Sequence, residues 1–343
     1  MAEDSPFTVD ADWLQERLGE PGITIVDASW YLPAQKRNAR GEYEAGHIPG
    51  AVFFDQDAVS DNSSNLPHTL PSPQDFARWG RALGAALGIE LTLEHVPTPP
   101  VTGRLTLISR RDYGAEVQAP TTILRFALPE TTFLQRLTGR GFGRFQAGDL
   151  LGVLPEGADL PRFYSLASGR RDGFVEIVVR KHPGGLCSGQ LLALEPGQAI
   201  RAFVRHNPAF HAAAGRSPLI LIGAGTGIGP LAGFIRGNSR KRPIHLAFGM
   251  RRPDSDFLYR DDLAGWRVDG RLARLTTANS RGAKPRHVQD ALRAESAELI
   301  RLVHEGARIM VCGGRDMASG VAEALTDILA PTGLTPLALK AEG

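Results

Sequence analysis

The stretch that most limits how this chain folds is "SPLILIGAGTGIGPLAGFI", residues 217–235. It is uncharged and long enough for a membrane span to be weighed, but its glycines and prolines make it a poor one. A buried strand, a glycine-rich turn and then a helix account for it better. Gly223, Gly225, Gly227 and Gly229 alternate, so strict G-x-G-x-x-G spacing is not met. They still let backbone approach a phosphate closely and leave a helix N-terminus to meet it. A tight packing turn is the plain alternative.

The stretch opens a repeat of strand then helix. "LILIGAG", "IHLAFGM", "ARLTTAN" and "RIMVCGG" each lead into a helical segment or a loop, which predicts a parallel sheet covered on both faces. Upstream, "LTLISRRDY", "TTILRFALP", "DLLGVLP", "RFYSLAS" and "FVEIVVRKH" are short β-rich runs, several separated by Gly or Pro turns, the pattern of an antiparallel β-barrel. Further upstream, "GITIVDAS" (22–29) reads as a buried strand and "GAVFFD" (50–55) as a second. "SPQDFARWGRALGAALG" (72–88) reads as a helix opened by Ser72 or Pro73 and ended by Gly88. The proline-rich "LEHVPTPPVTGR" (93–104) reads as a linker.

The expected architecture is multidomain. An incomplete α/β fragment (1–83) and a junction (84–104) precede a barrel (105–214) and an α/β parallel-sheet domain (215–343). With 39 basic against 37 acidic residues, the chain is too balanced to suggest a nucleic-acid or anionic-membrane protein. Two cysteines make neither a disulfide framework nor a Cys-rich metal site and suit a reducing cytosol. "MAEDSPFTVDADW" has neither part of a signal peptide. A cytoplasmic protein without metal or membrane insertion is expected.

Chemistry concentrates in a few places. "NSRGAKPRHVQ" (279–289) gathers Ser280, Arg281, Lys284 and Arg286 after a strand, where an extra ribose phosphate would find a hydroxyl among cations; a solvated basic loop is the bland alternative. "VCGG" puts Cys312 at the C-terminal edge of the sheet, where ligands bind in open α/β folds. In "PRFYSLASG", alternation places Arg162 and Tyr164 on one face of a strand and Phe163 and Ser165 on the other. "GGLCSGQLL" reads as a second phosphate-binding helix start with Ser188 in its first turn. Two phosphate cradles, a stacking tyrosine and a hydroxyl suggest a flavin dinucleotide facing a nicotinamide dinucleotide.

These motifs, with "FGMRRPDSDFLYRDDL" and "VCGGRDMASGV" and in this order over residues 100–340, resemble the ferredoxin–NADP reductase superfamily, above all its diflavin branch. The resemblance implies FAD and NADP(H) as cofactors. It implies that Arg162, Phe163, Tyr164, Ser165 and Val178 border the FAD, with Ser165 near the flavin N5. Gly185, Leu186, Cys187 and Ser188 would line the FAD pyrophosphate. Gly225, Thr226, Gly227, Arg251, Gln289 and Met317 would line the NADP site. Ser280, Arg281 and either Lys284 or Arg286 would hold the 2′-phosphate, and Cys312 would stand beside the nicotinamide. Ser165 and Cys312 are thus the expected catalytic pair, while Cys187 packs as a small apolar group. Three departures are visible: no flavodoxin-like FMN domain, only "LPEGADLP" where the branch has a helical insertion, and a chain ending at "LKAEG" before the family's acidic and aromatic C-terminal residues.

Residues 8–82, through "VDASWYLPAQKRNARGEYEAGHIPGAVFFD" and "LPHTLPSPQDFARWGRALG", resemble the first domain of a tandem rhodanese of the 3-mercaptopyruvate sulfurtransferase type. That family's persulfide cysteine opens a C-x-x-G-x-[RT] loop, and neither "CSGQLL" nor "CGGRDM" fits it, so His47 and Glu42 are read as structural. The resemblance covers about half of a rhodanese domain and predicts an unpaired sheet edge with apolar surface exposed. The leading function is an NADPH-dependent FAD oxidoreductase passing electrons to a separate acceptor, such as a flavodoxin-like protein, a sulfite reductase hemoprotein or a cytochrome. A sulfurtransferase and a catalytically impaired binding module are the alternatives.

Overall fold

The computed structural model describes residues 9–31, 35–61, 69–88, 101–129, 142–158, 160–212, 215–281 and 284–333. The chain separates into two compact units, Met1–Pro99 and Pro100–Gly343.

The first unit holds α1 (Ala11–Glu16), β1 (Val26–Asp27), α2 (Ala39–Ala45), β2 (Val52–Phe53), α3 (Gln56–Val59) and α4 (Pro73–Leu87). Helix α4 ends where the sequence says. The Ser72 hydroxyl accepts from the Asp75 amide at 3.1 Å, and Gly88 turns left-handed at φ 67°. The buried strand expected over 22–29 is only two residues long, and Val26 is 39% exposed. Among the described residues its one partner is β2, paired in parallel as Val26↔Val52 and Asp27↔Phe53. Strand residues become buried only when neighbours flank and cover them, and two short strands do not make a core.

The second unit begins within the proline-rich region. Residues 93–100 of the linker expected over 93–104 lie outside the described residues, while Gly103 and Arg104 already belong to β3 (Gly103–Tyr113). With β4 (Thr121–Ala127), β5 (Leu150–Leu154), β6 (Arg162–Ser165), β7 (Phe174–Arg180) and β8 (Ala199–Arg205), β3 builds an antiparallel sheet in the order β6-β5-β8-β3-β4-β7. Its inward side chains, among them Leu105, Leu124, Phe126, Leu151, Ile177 and Ala202, form one core. The edge strands meet through a single bridge, Leu166↔Ile177, beside which the Ala167 amide donates to the Glu176 carbonyl at 2.8 Å. The expected barrel is therefore seen as a six-stranded sheet whose edges touch at one point, without a closing ladder among the described residues. Helix α5 (Leu186–Ala193) sends Cys187 and Leu191 into the core.

The strand–helix repeat appears as predicted. Strands β9 (Leu219–Ala224), β10 (Ile244–Met250), β11 (Arg274–Asn279) and β12 (Arg308–Cys312) form a parallel sheet ordered β11-β10-β9-β12. One face carries α6 (Ile228–Arg236) and α7 (Arg260–Val268); the other carries α8 (Val288–Ala294), α9 (Ser296–His304) and α10 (Arg315–Leu329). Both faces of β9 are filled, Leu219 and Leu221 on one side and Ile220 and Ile222 on the other. That two-sided burial is why the run is continuously apolar. Among the described residues no helix is long and apolar enough to cross a membrane.

The two sheets are joined through a buried ionic cluster. Glu176 of β7 is 0% exposed. It accepts from Arg125 Nη2 of β4 at 2.7 Å, Arg236 Nη2 of α6 at 2.6 Å and the Tyr259 hydroxyl at 3.0 Å. Arg236 also donates to the Ala167 carbonyl at 2.6 Å. A carboxylate so deeply buried persists only with such compensation, and here the compensation comes from both sides of the junction.

Candidate functional site

Two places collect the residues singled out in the sequence. The first is a crevice of about 340 Å³ outside the carboxyl ends of the parallel strands. It brings together Gly225, Arg251, Ser280, Arg286, Gln289 and Met317, all expected at a nucleotide site. Its floor is the turn after β9. Gly225 takes φ +55°, and a Cβ built on it would lie 2.4 Å from Arg180 Nη2. A Cβ on Gly227 would lie 2.0 Å from the Cys312 carbonyl oxygen. Backbone alone fits against the Cys312 carbonyl, so a 3₁₀ turn over Gly225–Gly227 runs into α6 against the ends of β9 and β12, and the Ile228 amide donates to the Gly225 carbonyl.

Arg180, at the end of β7, was not expected here. It lines the same crevice, and among the described residues its buried Nε has no hydrogen-bond partner. Burial pulls its guanidinium below the ordinary arginine value, and the positive charge of Arg251 pulls the same way against Asp256. Asp256 is itself occupied, accepting from the Arg251 and Arg252 amides at 3.0 and 2.7 Å. Two neighbouring arginines, one with an orphaned donor, define a place where an anion is favourable. Only the long reach from the antiparallel sheet brings Arg180 here; in the sequence it is one basic residue at the end of a strand.

The remaining cations divide. The Arg286 amide donates to the Asn279 carbonyl at 2.7 Å, which folds the loop back into the crevice. Lys284 is exposed and outside it. Arg281 turns to the Val117 carbonyl at 3.3 Å. Ser280 donates from its hydroxyl to the Met250 carbonyl at 3.3 Å. Thr226 is half-buried in the turn. Cys312 is half-buried, and burial pushes its thiol up to about 11.

The second place lies along β6 and α5. The alternation read in "RFYS" holds: Arg162 and Tyr164 pair with Val153 and Leu151, Phe163 and Ser165 with Gly152 and Leu150. Tyr164 leans on the core and is hydrogen-bonded to Cys187. Burial, then that bond, raises the Tyr164 hydroxyl well above its ordinary value, while burial raises Cys187. Cys187 is 5% exposed, a packed thiol rather than a presented one. Ser188 is also buried; its hydroxyl accepts from the His182 amide at 3.1 Å and donates to the Gly185 carbonyl at 3.3 Å. That hydroxyl closes the turn before the helix, leaving the amides of Leu186, Cys187 and Ser188 as the free groups of the first turn. Arg162 is exposed, and its positive charge pulls the Tyr164 hydroxyl and the Cys187 thiol downward against burial.

The two places are neighbours. Ser165 ends β6, and the next residue, Leu166, bridges to Ile177. Val178 follows on β7 and packs on the start of α6, where a Cβ on Gly229 would touch Val178 Cγ2 at 3.0 Å. From there the backbone of Gly227 reaches the Cys312 carbonyl. A larger cleft, about 920 Å³, opens between α5, β8 and the loop after β5. Of the expected site residues it touches Cys187 alone, so its size does not make it the site.

Residues 221–323, which hold most of the parallel sheet whose carboxyl edge borders this crevice, match the Oxidoreductase NAD-binding domain family. The particular relatives follow. The chain is 34% identical over 190 residues to the sulfite reductase [NADPH] flavoprotein alpha-component of Salmonella typhi, covering 50% of this chain and 32% of that protein. It is 37% identical over 225 residues to human inducible nitric oxide synthase, covering 58% of this chain and 19% of that protein. It is also 54% identical over 77 residues to the 3-mercaptopyruvate sulfurtransferase of Escherichia coli K12, covering 22% of this chain and 27% of that protein. Both resemblances read from the motifs are therefore present in one chain. The chain spans between 19% and 32% of the length of these relatives.

Proposed function

We propose that residues 105–214 bind FAD as a barrel-type domain, that residues 215–343 bind NADPH, and that together they pass reducing equivalents from NADPH to a separate acceptor. The observation that carries this reading is the crevice in which Arg180, Arg251, Arg286 and Ser280 stand around the Gly225 turn. Orphaned Arg180 Nε and a turn that admits only backbone suit a pyrophosphate. Arg286 and Ser280 are our choice for the 2′-phosphate, with Lys284 outside it. Gly185, Leu186, Cys187 and Ser188 would hold the FAD pyrophosphate through first-turn amides, with Arg162 as its counter-charge.

FAD, when bound, supplies hydride acceptance and release of single electrons. The chain's own residues do the rest. Tyr164 supplies a ring held by Cys187, Ser165 a hydroxyl at the strand's end, and Cys312 an uncharged thiol where the nicotinamide would lie. The Glu176 cluster holds β7 and α6 together, so that the two binding places keep their spacing. The acceptor is a flavodoxin-like protein, a sulfite reductase hemoprotein or a cytochrome.

An absorbance spectrum of the purified full chain tests this. A yellow protein bleached anaerobically by NADPH is expected; a colourless protein that FAD does not reconstitute refutes the reading. Both cysteines lie beyond residue 99, outside the first unit. That unit therefore has no thiolate of its own for sulfur transfer, in spite of its sulfurtransferase resemblance.

A further inference from the structure

The cleft of about 920 Å³ between α5, β8 and the loop after β5 belongs to neither nucleotide place, yet its volume is that of a small-molecule site. Its floor reaches the core of the antiparallel sheet, where Val153, Cys187 and Leu191 are 2%, 5% and 1% exposed. Leu154, Leu194 and Ile200, all half-buried, carry the apolar surface outward. The walls are tied to each other. The Glu156 amide donates to Gln190 Oε1 at 2.9 Å, and Gln190 Nε2 donates back to the Glu156 carbonyl at 2.8 Å. These two bonds hold α5 to the loop after β5 and shape the cleft before a ligand arrives. Gln198 Oε1 accepts from the Glu195 amide at 2.8 Å. With both amide side chains engaged, the interior offers a ligand mainly aliphatic surface.

Among the described residues, three charged ones border the cleft: Arg104, Arg201 and Glu156. Arg104 of β3 and Arg201 of β8 are register partners on adjacent antiparallel strands, so their Cβ atoms stand about 5 Å apart. Like charges so placed repel, and an anion between them turns the repulsion into charge-assisted hydrogen bonds. Donors are at hand. Arg201 Nε donates to the Thr102 hydroxyl at 3.3 Å, and among the described residues neither of its Nη groups is engaged. Two guanidinium groups against one carboxylate leave the border with one positive charge in excess, which suits a single carboxylate better than a dianion. An aliphatic tail gains from the floor, while a charged head, which cannot be buried unpaired, stays at the arginines.

We propose that this cleft binds an aliphatic monocarboxylate of the fatty-acid kind, its chain along Val153, Leu191 and Ile200 and its carboxylate shared by Arg104 and Arg201. The inference goes beyond electron transfer. It needs only the antiparallel sheet and α5, and it holds whether or not a flavin is bound.

Calorimetric titration of the full chain with dodecanoate, kept below its micelle concentration, tests this. Saturable binding at one site per chain is expected. Octanoate should bind about tenfold more weakly or worse, for its missing methylenes. Dodecyltrimethylammonium, with the same chain and the opposite charge, should also lose about tenfold or more. Arg104→Gln/Arg201→Gln should weaken dodecanoate by about tenfold or more and erase its advantage over the ammonium. Both arginines are exposed, and circular dichroism checks that the variant is folded. A dodecanoate carrying a photoreactive diazirine on its chain locates the site in the wild type, with no variant needed. Mass spectrometry should find the label within residues 153–158, 187–194 or 197–201. No saturable binding, equal binding of the ammonium, unchanged affinity in the folded double variant, or labelling confined to other segments overturns the proposal.

Discussion

Arg236 Nη2 of α6 donates to Glu176 Oε1 of β7 at 2.6 Å, across the junction between the antiparallel sheet and the parallel one. The same carboxylate is held by Arg125 and Tyr259. One buried charge therefore ties two strands, a helix and Tyr259, which no local sequence pattern connects.

Arg236→Met removes one cation and leaves Glu176 buried. Breaking one partner out of such a cluster typically costs about 3–5 kcal/mol, so a drop of that size in the urea unfolding free energy of the full chain is expected. A change below about 1 kcal/mol would mean that Arg125 and Tyr259 suffice.

Arg286→Ala should raise the KM for NADPH by about tenfold or more, the loss of a charge-assisted hydrogen bond of about 1.5–3 kcal/mol, and leave the KM for NADH unmoved. Lys284→Ala should change either by less than about twofold, since Lys284 stands outside the crevice. The reverse ranking in steady-state kinetics would assign the 2′-phosphate to Lys284.

Asp149 contributes to the acid limb of stability. It is 1% exposed, and burial alone would raise its pKa. Donors from the Asn207 and Gln146 amides, then His211 and His206, outweigh burial and hold it below the ordinary carboxylate value. A depressed folded value means that its contribution is full above the unfolded pKa of about 3.9. That contribution is lost as pH falls through the folded one. Urea midpoints should respond little to this group from pH 7 to about pH 4, then fall toward about pH 2 more steeply for wild type than for Asp149→Asn.

Cys312 should resist alkylation at ordinary pH. With its thiol pushed up to about 11 by burial, roughly a thousandth is thiolate at pH 8. Iodoacetamide labelling followed by mass spectrometry should be slow at pH 8 and rise toward pH 11. Labelling at pH 8 as fast as that of free glutathione would contradict the burial argument.

Much of this molecule is written in local pattern. The four parallel strands, the helix from Pro73 to Leu87 with its Ser72 and Gly88 ends, and the face alternation of "RFYS" follow from period, capping chemistry and turn glycines. These depend on residues within a few positions of one another. Six of the expected nucleotide-site residues met in one crevice because motifs at the carboxyl ends of parallel strands are brought to one edge by the fold class itself.

What pattern left open is what depends on distant neighbours. The stretch 22–29 has a strand's composition, yet with β2 as its single partner only Val26 and Asp27 pair. Burial belongs to the surrounding sheet and not to the segment. Lys284 and Arg286 are indistinguishable as cations two positions apart, and a backbone bond from Arg286 to Asn279 decides which one enters the crevice. Arg180 and Glu176 sit in an unremarkable strand and acquire their places only when β7 packs on the first turns of α6. Sequence alone thus set most elements of the second unit and the expectation of a nucleotide. Tertiary packing, by setting which charges are buried together and which are left facing water, decided which of the expected side chains share one crevice.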